Sequence, residues 1–116
     1  MIEQLVAKVF EARNAAHLEH WATTNGEVHR ATGDFYESII STLDELVECY
    51  QGAFDVIGEV KPEVSKDKLM TLLEEQSVWM SENRDEICRD LSVLENLLDE
   101  LMAAYLRTLF KLRRLK

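Results

Sequence analysis

All three histidines of the chain lie in one short segment, AHLEHWATTNGEVHR, as His17, His20 and His29. Imidazole is a common ligand of iron, zinc, copper and nickel, so histidines that fold together can hold a metal ion. Iron sites usually add carboxylates, and Asp44 and Glu48 stand one helical turn apart further along the chain. These residue types predict a metal site, provided that the fold brings the two groups together.

The elements that must position these residues are amphipathic helices, because apolar residues recur at three- and four-residue steps. Four glycines and one proline are too few for a turn-rich β architecture. The pattern predicts helix A from Ile2 to about Ala22, helix B from about Glu27 to Ile57, helix C from near Ser65 and helix D from Ser92. We therefore expect an all-α four-helix bundle, an A–B hairpin followed by C and D, as a single domain over residues 1–116.

Local signals mark the boundaries between these helices. Asn25-Gly26 predicts the break between helices A and B, and a polar connector surrounds Pro62. The segment SENRDEICRD, residues 81–90, predicts either a break or a bent continuation of helix C. SVLE, residues 92–95, is a capping-box sequence directly before an apolar run and predicts the start of helix D.

The A–B hairpin predicts which histidines are neighbours. If the turn is centred between Thr24 and Asn25, His20 lies level with His29, and His17 lies one turn deeper on the same face. Asp44 follows His29 by fifteen residues, which places it about 22 Å further along the same helix. A metal ion cannot join the histidines to these carboxylates within one straight helix.

A second copy of the chain would remove this distance. If helix B packs antiparallel on helix B of a partner about a two-fold axis near Glu37 and Ser38, His29 meets the partner's Asp44 and Glu48. Gly33 falls on the predicted contact face, where it would let the two helices approach closely. The metal site therefore requires a homodimer or a larger homo-oligomer.

The same residues resemble the metal site of the Dps family, the ferritin-like DNA-binding proteins from starved cells. The matching residues are His20-Trp21, His29 and the D-x-x-x-E of Asp44 and Glu48. The resemblance implies a ferritin-like bundle, with His20 and His29 as ligands from one subunit and Asp44 and Glu48 from the other. It also implies that the chain binds ferrous iron and oxidises it, with no catalytic residue beyond the metal ligands.

The chain departs from the Dps pattern at several positions. The spacing from the His-Trp pair to the second histidine is shorter than in the family, and His17 would restore that spacing without the tryptophan. We therefore keep His17 as a possible additional ligand. Gly33 stands where the family has a further aspartate, and Glu37 is the residue that would replace it. Zinc and manganese remain alternatives to iron.

The chain is also similar to a group of short phage-encoded ferritin-like proteins. The shared segments are AHLEHW, HRATGDFYESIISTLDELVECYQG and DELMAAYLRTLFKL. This resemblance implies a viral origin and a protein that works in the cytoplasm of the infected host cell. It leaves the activity open.

Charge is distributed unevenly along the chain. All 22 acidic residues precede Arg107, whereas the last ten residues carry five basic residues, namely Arg107, Lys111, Arg113, Arg114 and Lys116. An acidic body repels nucleic acid, so contact with a polyanion is expected only weakly and only through this basic end. No apolar run is long enough to cross a bilayer, so no membrane partner is expected.

Two other functions compete with iron oxidation. The first is a non-enzymatic phage interaction or structural protein that retains the ferritin-like fold. The second is an all-α nucleoside-triphosphate pyrophosphatase, with magnesium held by Glu45 and Glu48 together with Glu95 and Asp99. The histidine cluster has no role in that enzyme, so we rank it last.

Overall fold

The computed structural model describes all 116 residues and contains four α-helices and no strand. The helices are α1 (Ile2–Ala22), α2 (Gly26–Ala53), α3 (Leu69–Cys88) and α4 (Ser92–Arg114). The prediction of an all-α four-helix bundle is confirmed. None of the four helices is both long enough and apolar enough to span a membrane.

The turn between α1 and α2 forms where Asn25-Gly26 predicts it. Asn25 is the N-cap of α2, and its side-chain oxygen accepts hydrogen bonds from the N–H groups of Glu27 (2.9 Å) and Val28 (3.1 Å). The Thr23 hydroxyl accepts a hydrogen bond from the Asn25 N–H at 3.1 Å. These bonds satisfy main-chain donors that a helix start leaves free, so α2 begins sharply.

Helix α2 ends at Ala53, four residues before the predicted end at Ile57. Phe54 leaves the helical conformation, with φ −124° and ψ −80°. The Asp55 carboxylate then accepts the Val56 N–H at 2.7 Å, and the Gln51 side chain accepts the Ile57 N–H at 3.2 Å. Side-chain oxygens thus accept hydrogen bonds from the N–H groups that would otherwise extend the helix by another turn. The spacing of apolar residues does not reveal this competition.

Helix α3 begins at Leu69 rather than near Ser65, because the Ser65 hydroxyl accepts the Asp67 N–H at 3.0 Å and makes a turn there. At its other end the segment of residues 81–90 is mostly a continuation of the helix, which runs to Cys88. Arg89 and Asp90 then adopt left-handed backbone conformations with φ 51° and 61°. This pair of residues makes the turn into α4 without a glycine.

Helix α4 begins at Ser92, as predicted, but the capping box does not form. Leu91 occupies the N-cap position, and no side chain caps the helix. Ser92 is already the first helical residue, and Glu95 instead pairs with Arg84 of α3 at 3.1 Å. The motif therefore predicts the start of α4 correctly, but Ser92 is not the N-cap residue.

The helices are arranged so that α1 and α4 each pack against both α2 and α3, while α1 and α4 lie on a diagonal of the bundle. The connector of residues 54–68 starts beside the beginning of α1, where the Gly58 N–H donates to Glu3 at 2.7 Å. It ends beside Glu19 and Val28 at the opposite end of the molecule. The connector is therefore one long crossover along the bundle, and α2 and α3 run in the same direction.

The core contains one buried chain of hydrogen bonds among its apolar side chains. Tyr105 of α4 is fully buried, and its hydroxyl donates to Gln76 of α3 at 2.6 Å. The Gln76 amide in turn donates to Glu11 of α1 at 2.9 Å. Burial raises the pKa of the Tyr105 hydroxyl above its ordinary value, so it stays neutral and remains a donor.

Candidate functional site

His20 and His29 form a reciprocal pair across the α1–α2 hairpin. Nδ1 of His20 donates to the main-chain carbonyl of His29 at 2.6 Å, and Nδ1 of His29 donates to the carbonyl of His20 at 2.9 Å. The two rings stack with their centroids 3.7 Å apart. The two histidines therefore lie at the same depth in the hairpin, as predicted.

The hydrogen bonds also determine the tautomer of both imidazoles. A carbonyl oxygen only accepts, so each Nδ1 carries its proton, and in the neutral ring the lone pair then lies on Nε2. A main-chain carbonyl bonded to the N–H of a ligating histidine is the usual way of orienting such a ring around a metal. Each ring therefore keeps the nitrogen that a metal would use.

Thr32 also supports this pair, although it is not among the residues that the sequence predicts for the site. Its hydroxyl is buried in the angle between the helices, 3.3 Å from Nδ1 of His20, and donates to the carbonyl of Val28 at 2.7 Å. The signal available in the sequence is its position three residues after His29, where a helical side chain shares the face of the preceding histidine.

Gly33 makes the space that the His20 ring occupies. A Cβ atom at this position would lie 3.0 Å from Cε1 and 3.2 Å from Nδ1 of His20, which is closer than ordinary packing. Gly33 therefore permits a close approach within the chain, and the expected contact with a partner helix stays a prediction. The approaching group is a side chain of the same subunit, and the glycine itself is buried.

His17 lies one turn below this pair and packs among aromatic rings. It stacks on Tyr36 with centroids 3.9 Å apart and lies 4.3 Å from the Trp21 ring. The pKa of His17 is lowered because partial burial and the neighbouring Arg13 guanidinium both disfavour its charged form. A neutral imidazole is the form that binds metals, and His17 stays a predicted additional ligand.

The predicted carboxylate ligands lie on the outer surface of α2. Asp44, Glu48 and Glu37 are all exposed, and none of them takes part in an ion pair within the chain. No group of three or more metal-ligating side chains comes together in a single chain. The structure therefore brings the histidines together and leaves the carboxylates apart, as the helix length requires.

Glu95 and Asp99, the carboxylates that the pyrophosphatase hypothesis assigned to magnesium, are already occupied. Arg84 binds Asp99 through two nitrogens, at 2.8 and 2.9 Å, and Glu95 through a third at 3.1 Å. The pKa of Asp99 is lowered, chiefly by this hydrogen bonding to Arg84. A bidentate arginine supplies the positive charge that magnesium would supply, which counts against that hypothesis.

An apolar surface borders the histidines on α1. Three large apolar side chains are exposed there, Trp21 by 69%, Leu18 by 62% and Phe10 by 42% of their surface. Phe10 and Trp21 lie eleven residues apart, which is three helical turns, and so share a face with His17. Several large exposed apolar side chains on one helix are a feature of interaction surfaces.

The basic C-terminal end is partly used inside the chain. Lys111 lies 3.4 Å from Asp34 of α2, and Arg113 lies 2.8 Å from Glu74 of α3. Arg107, Arg114 and Lys116 make no ion pair. Part of the basic cluster is therefore paired with acids of the bundle, and part remains available to other molecules.

Comparison with known proteins adds a family and no biochemical activity. No curated protein and no solved structure matches the chain. A family model described as a family of unknown function (DUF5856) matches residues 20–112, which include His20, His29, Asp44 and Glu48. Because the match covers well over half of the chain, the protein belongs to the DUF5856 family.

Proposed function

We propose that the protein binds iron, or a similar divalent transition metal, at a site shared between two subunits, and that it oxidises bound ferrous iron. His20 and His29 of one subunit would supply nitrogen ligands, and Asp44 and Glu48 of the partner subunit would supply oxygen ligands. His17 and Glu37 are the additional candidates. Each ferrous ion would lose one electron to an oxidant such as dioxygen.

The observation that carries this proposal is the reciprocal histidine pair. Both Nδ1 protons are bonded to main-chain carbonyls, so both rings are oriented before any metal arrives and offer Nε2. Imidazole together with carboxylate oxygens is a ligand set that suits iron with open coordination positions.

Two further features support a shared site. The exposed apolar surface of Phe10, Leu18 and Trp21 adjoins the histidines and would be covered when a second subunit packs on α1 and α2. The single long crossover of residues 54–68 is the connectivity of ferritin-like bundles, in which metal sites are built from side chains on facing helices.

The competing proposal is a non-enzymatic interaction protein, and one observation favours it. The His20–His29 pair also works as a clasp, because its two hydrogen bonds join the end of α1 to the start of α2 without any metal. In that case the apolar surface of α1 would bind another protein, and both histidines would serve stability alone.

Complementation between subunits separates the two proposals. We expect His29→Ala and Asp44→Ala each to abolish ferrous oxidation and stoichiometric metal binding in the pure variant. A mixed dimer has one damaged site and one intact site, so an unfolded and refolded equal mixture should recover about a quarter of the wild-type sites. Glu45→Gln, one residue away on a different face of α2, is the matched control and should behave as the wild type.

Failure of recovery in the mixture would remove the shared site. Metal binding that survives both single variants would remove the ligand assignment. If the wild-type protein binds no added ferrous, zinc or manganese ion, the histidine pair serves only to join α1 to α2. That result would favour the interaction protein.

A further inference from the structure

The outer face of α4 carries charges that have no partner within the chain. Glu100 and Arg107 are both exposed, and neither forms an ion pair. They lie seven residues apart, about 10 Å along the helix, which is too far for them to pair with each other. The nearby Lys111 and Arg113, by contrast, are paired with acids of α2 and α3.

The surface between these two charges is small and shallow. A groove of about 200 Å³ runs between α2 and α4, with Glu100 and Arg107 among its lining residues. Its other walls include the small side chains of Ser38, Thr42, Ala103 and Ala104. Small side chains at a contact allow two helix axes to lie closer together than the usual distance of about 8–10 Å between packed helices.

Phe110 adds an apolar anchor to the same face. It lies seven residues after Ala103, two turns further along α4, and 54% of its surface is exposed. An exposed phenylalanine beside a groove of small residues is a feature of interaction surfaces, where aromatic residues are enriched.

We propose that α4 pairs antiparallel with α4 of a second copy of this chain, about a two-fold axis at Ala103 and Ala104. In this arrangement Glu100 lies level with Arg107 of the partner subunit, and symmetry makes the same ion pair twice.

The distribution of charge along α4 selects the antiparallel direction. The unpaired Glu100 precedes Ala103, whereas the unpaired Arg107 follows it. A parallel pair would set acid against acid and base against base, which costs free energy, while an antiparallel pair sets each half against its complement.

This interface is separate from the one that the shared metal site needs. The two-fold axis proposed for the metal site passes the level of Glu37 and Ser38 on the face of α2 that carries Asp44. The groove lies on another face at that level, since Ser38 and Thr42, which line it, are about 120° and about 160° around α2 from Asp44 at roughly 100° per residue. Two different two-fold interfaces on one chain build assemblies larger than a dimer. The inference therefore concerns a second self-association surface and does not depend on metal binding.

Charge reversal tests the interface directly. Glu100→Arg and Arg107→Glu each place like charges opposite each other twice, and we expect each to raise the dissociation constant for this contact by about tenfold or more. The double variant restores opposite charges and should recover the wild-type value. An equimolar mixture of the two single variants should form mixed pairs.

Molar masses by sedimentation distinguish the possible outcomes for both proposals. If the wild-type protein is larger than a dimer, and Glu100→Arg reduces it to a dimer that still binds metal, the result supports both interfaces. A wild-type dimer that Glu100→Arg dissociates supports the α4 pair and overturns the shared metal site. A mass unaffected by all three variants overturns the α4 pair, whatever the metal measurements show.

Cross-linking provides a second, geometric test. In a Cys49→Ser background, which leaves only the buried Cys88, Ala103→Cys should form an intersubunit disulfide under mild oxidation because it lies at the axis. Ser81→Cys, exposed on α3 outside both proposed interfaces, is the control and should not cross-link. Equal cross-linking at both positions would contradict the proposed axis.

Discussion

Space beside Gly33 and hydrogen bonds to main-chain carbonyls decide how His20 is held. The imidazole lies where a side chain at position 33 would begin, and its Nδ1 is bonded to the carbonyl of His29. A residue that has no side chain therefore contributes to the orientation of the ring, together with the hydrogen bond to His29.

At this scale we predict that Gly33→Ala leaves the bundle folded and weakens metal binding. Alanine improves helix propensity by about 1 kcal/mol, but its Cβ must displace the His20 ring, which meets it at 3.0 Å. Loss of an orienting contact typically lowers metal affinity by about 10- to 100-fold. Thermal unfolding and metal titration of the same samples measure the two effects separately.

The control is Gly52→Ala, at the other end of α2. No atom lies within 4 Å of a Cβ built at Gly52, so this substitution should raise stability by up to about 1 kcal/mol and leave metal affinity unchanged. If Gly33→Ala binds metal as tightly as Gly52→Ala does, the orientation of His20 does not matter for a metal.

Individual helices begin and end where side chains satisfy, or compete for, main-chain hydrogen bonds. Asn25 caps α2 with two such bonds, whereas α4 starts at a capping-box sequence without any side-chain cap. Each helix start has a polar residue that could cap it, and only α2 uses this residue.

We predict that Asn25→Ala lowers the free energy of unfolding by about 1 kcal/mol, because two N–H groups of α2 lose their acceptor. Ser92→Ala should change it by less than about 0.5 kcal/mol, since the Ser92 hydroxyl caps nothing. Urea unfolding of both variants measures the difference. A loss at Ser92 equal to that at Asn25 would mean that the capping box forms in solution.

At the scale of the whole molecule, one buried polar chain joins three of the four helices. Tyr105, Gln76 and Glu11 come from α4, α3 and α1, and the two buried members of this chain have all their polar atoms satisfied. Such a network favours one relative placement of the helices, because sliding any of them leaves a buried polar atom without a partner.

We predict that Tyr105→Phe destabilises the bundle by about 1–3 kcal/mol. Removal of the hydroxyl leaves the Gln76 oxygen buried without a donor, since Gln76 is only 3% exposed. The double variant Tyr105→Phe with Gln76→Leu should recover part of the loss, because an apolar pair needs no hydrogen bond. Additive losses in urea unfolding would contradict this coupling.

The carboxyl group of Glu11 predicts a dependence of stability on pH. Its pKa is raised, chiefly because burial disfavours the carboxylate, and Glu63 adds to the effect. The folded protein then binds this proton more tightly than the unfolded chain does, so the group adds most stability below its ordinary pKa of 4.5. That contribution is lost as the pH rises through the raised pKa.

Glu11→Gln should remove this part of the pH dependence. We expect the stability difference between wild type and variant to shift in favour of the variant as the pH rises from about 4 to 7. Urea midpoints at several pH values measure it, and the subtraction cancels the other titrating groups. A difference that stays constant over that range would mean that the Glu11 carboxyl titrates normally.

The sequence by itself determined the four helices and the depth at which His20 and His29 lie in the α1–α2 hairpin. Apolar spacing predicts four helices, and the Asn25-Gly26 break predicts that His20 lies beside His29, because the turn of a short hairpin fixes the relative depth of its two helices. Both are local properties that follow from helical periodicity and turn chemistry.

Apolar periodicity does not encode every helix boundary. The end of α2 and the start of α3 depend on nearby side chains of Asp55, Gln51 and Ser65 that compete for main-chain N–H groups. Only the tertiary structure decided what the helices pack against. The diagonal placement of the helices and the ring of His20 against Gly33 arise from contacts between remote parts of the chain. Periodicity specifies which face of a helix is buried, and packing alone specifies what that face is buried against.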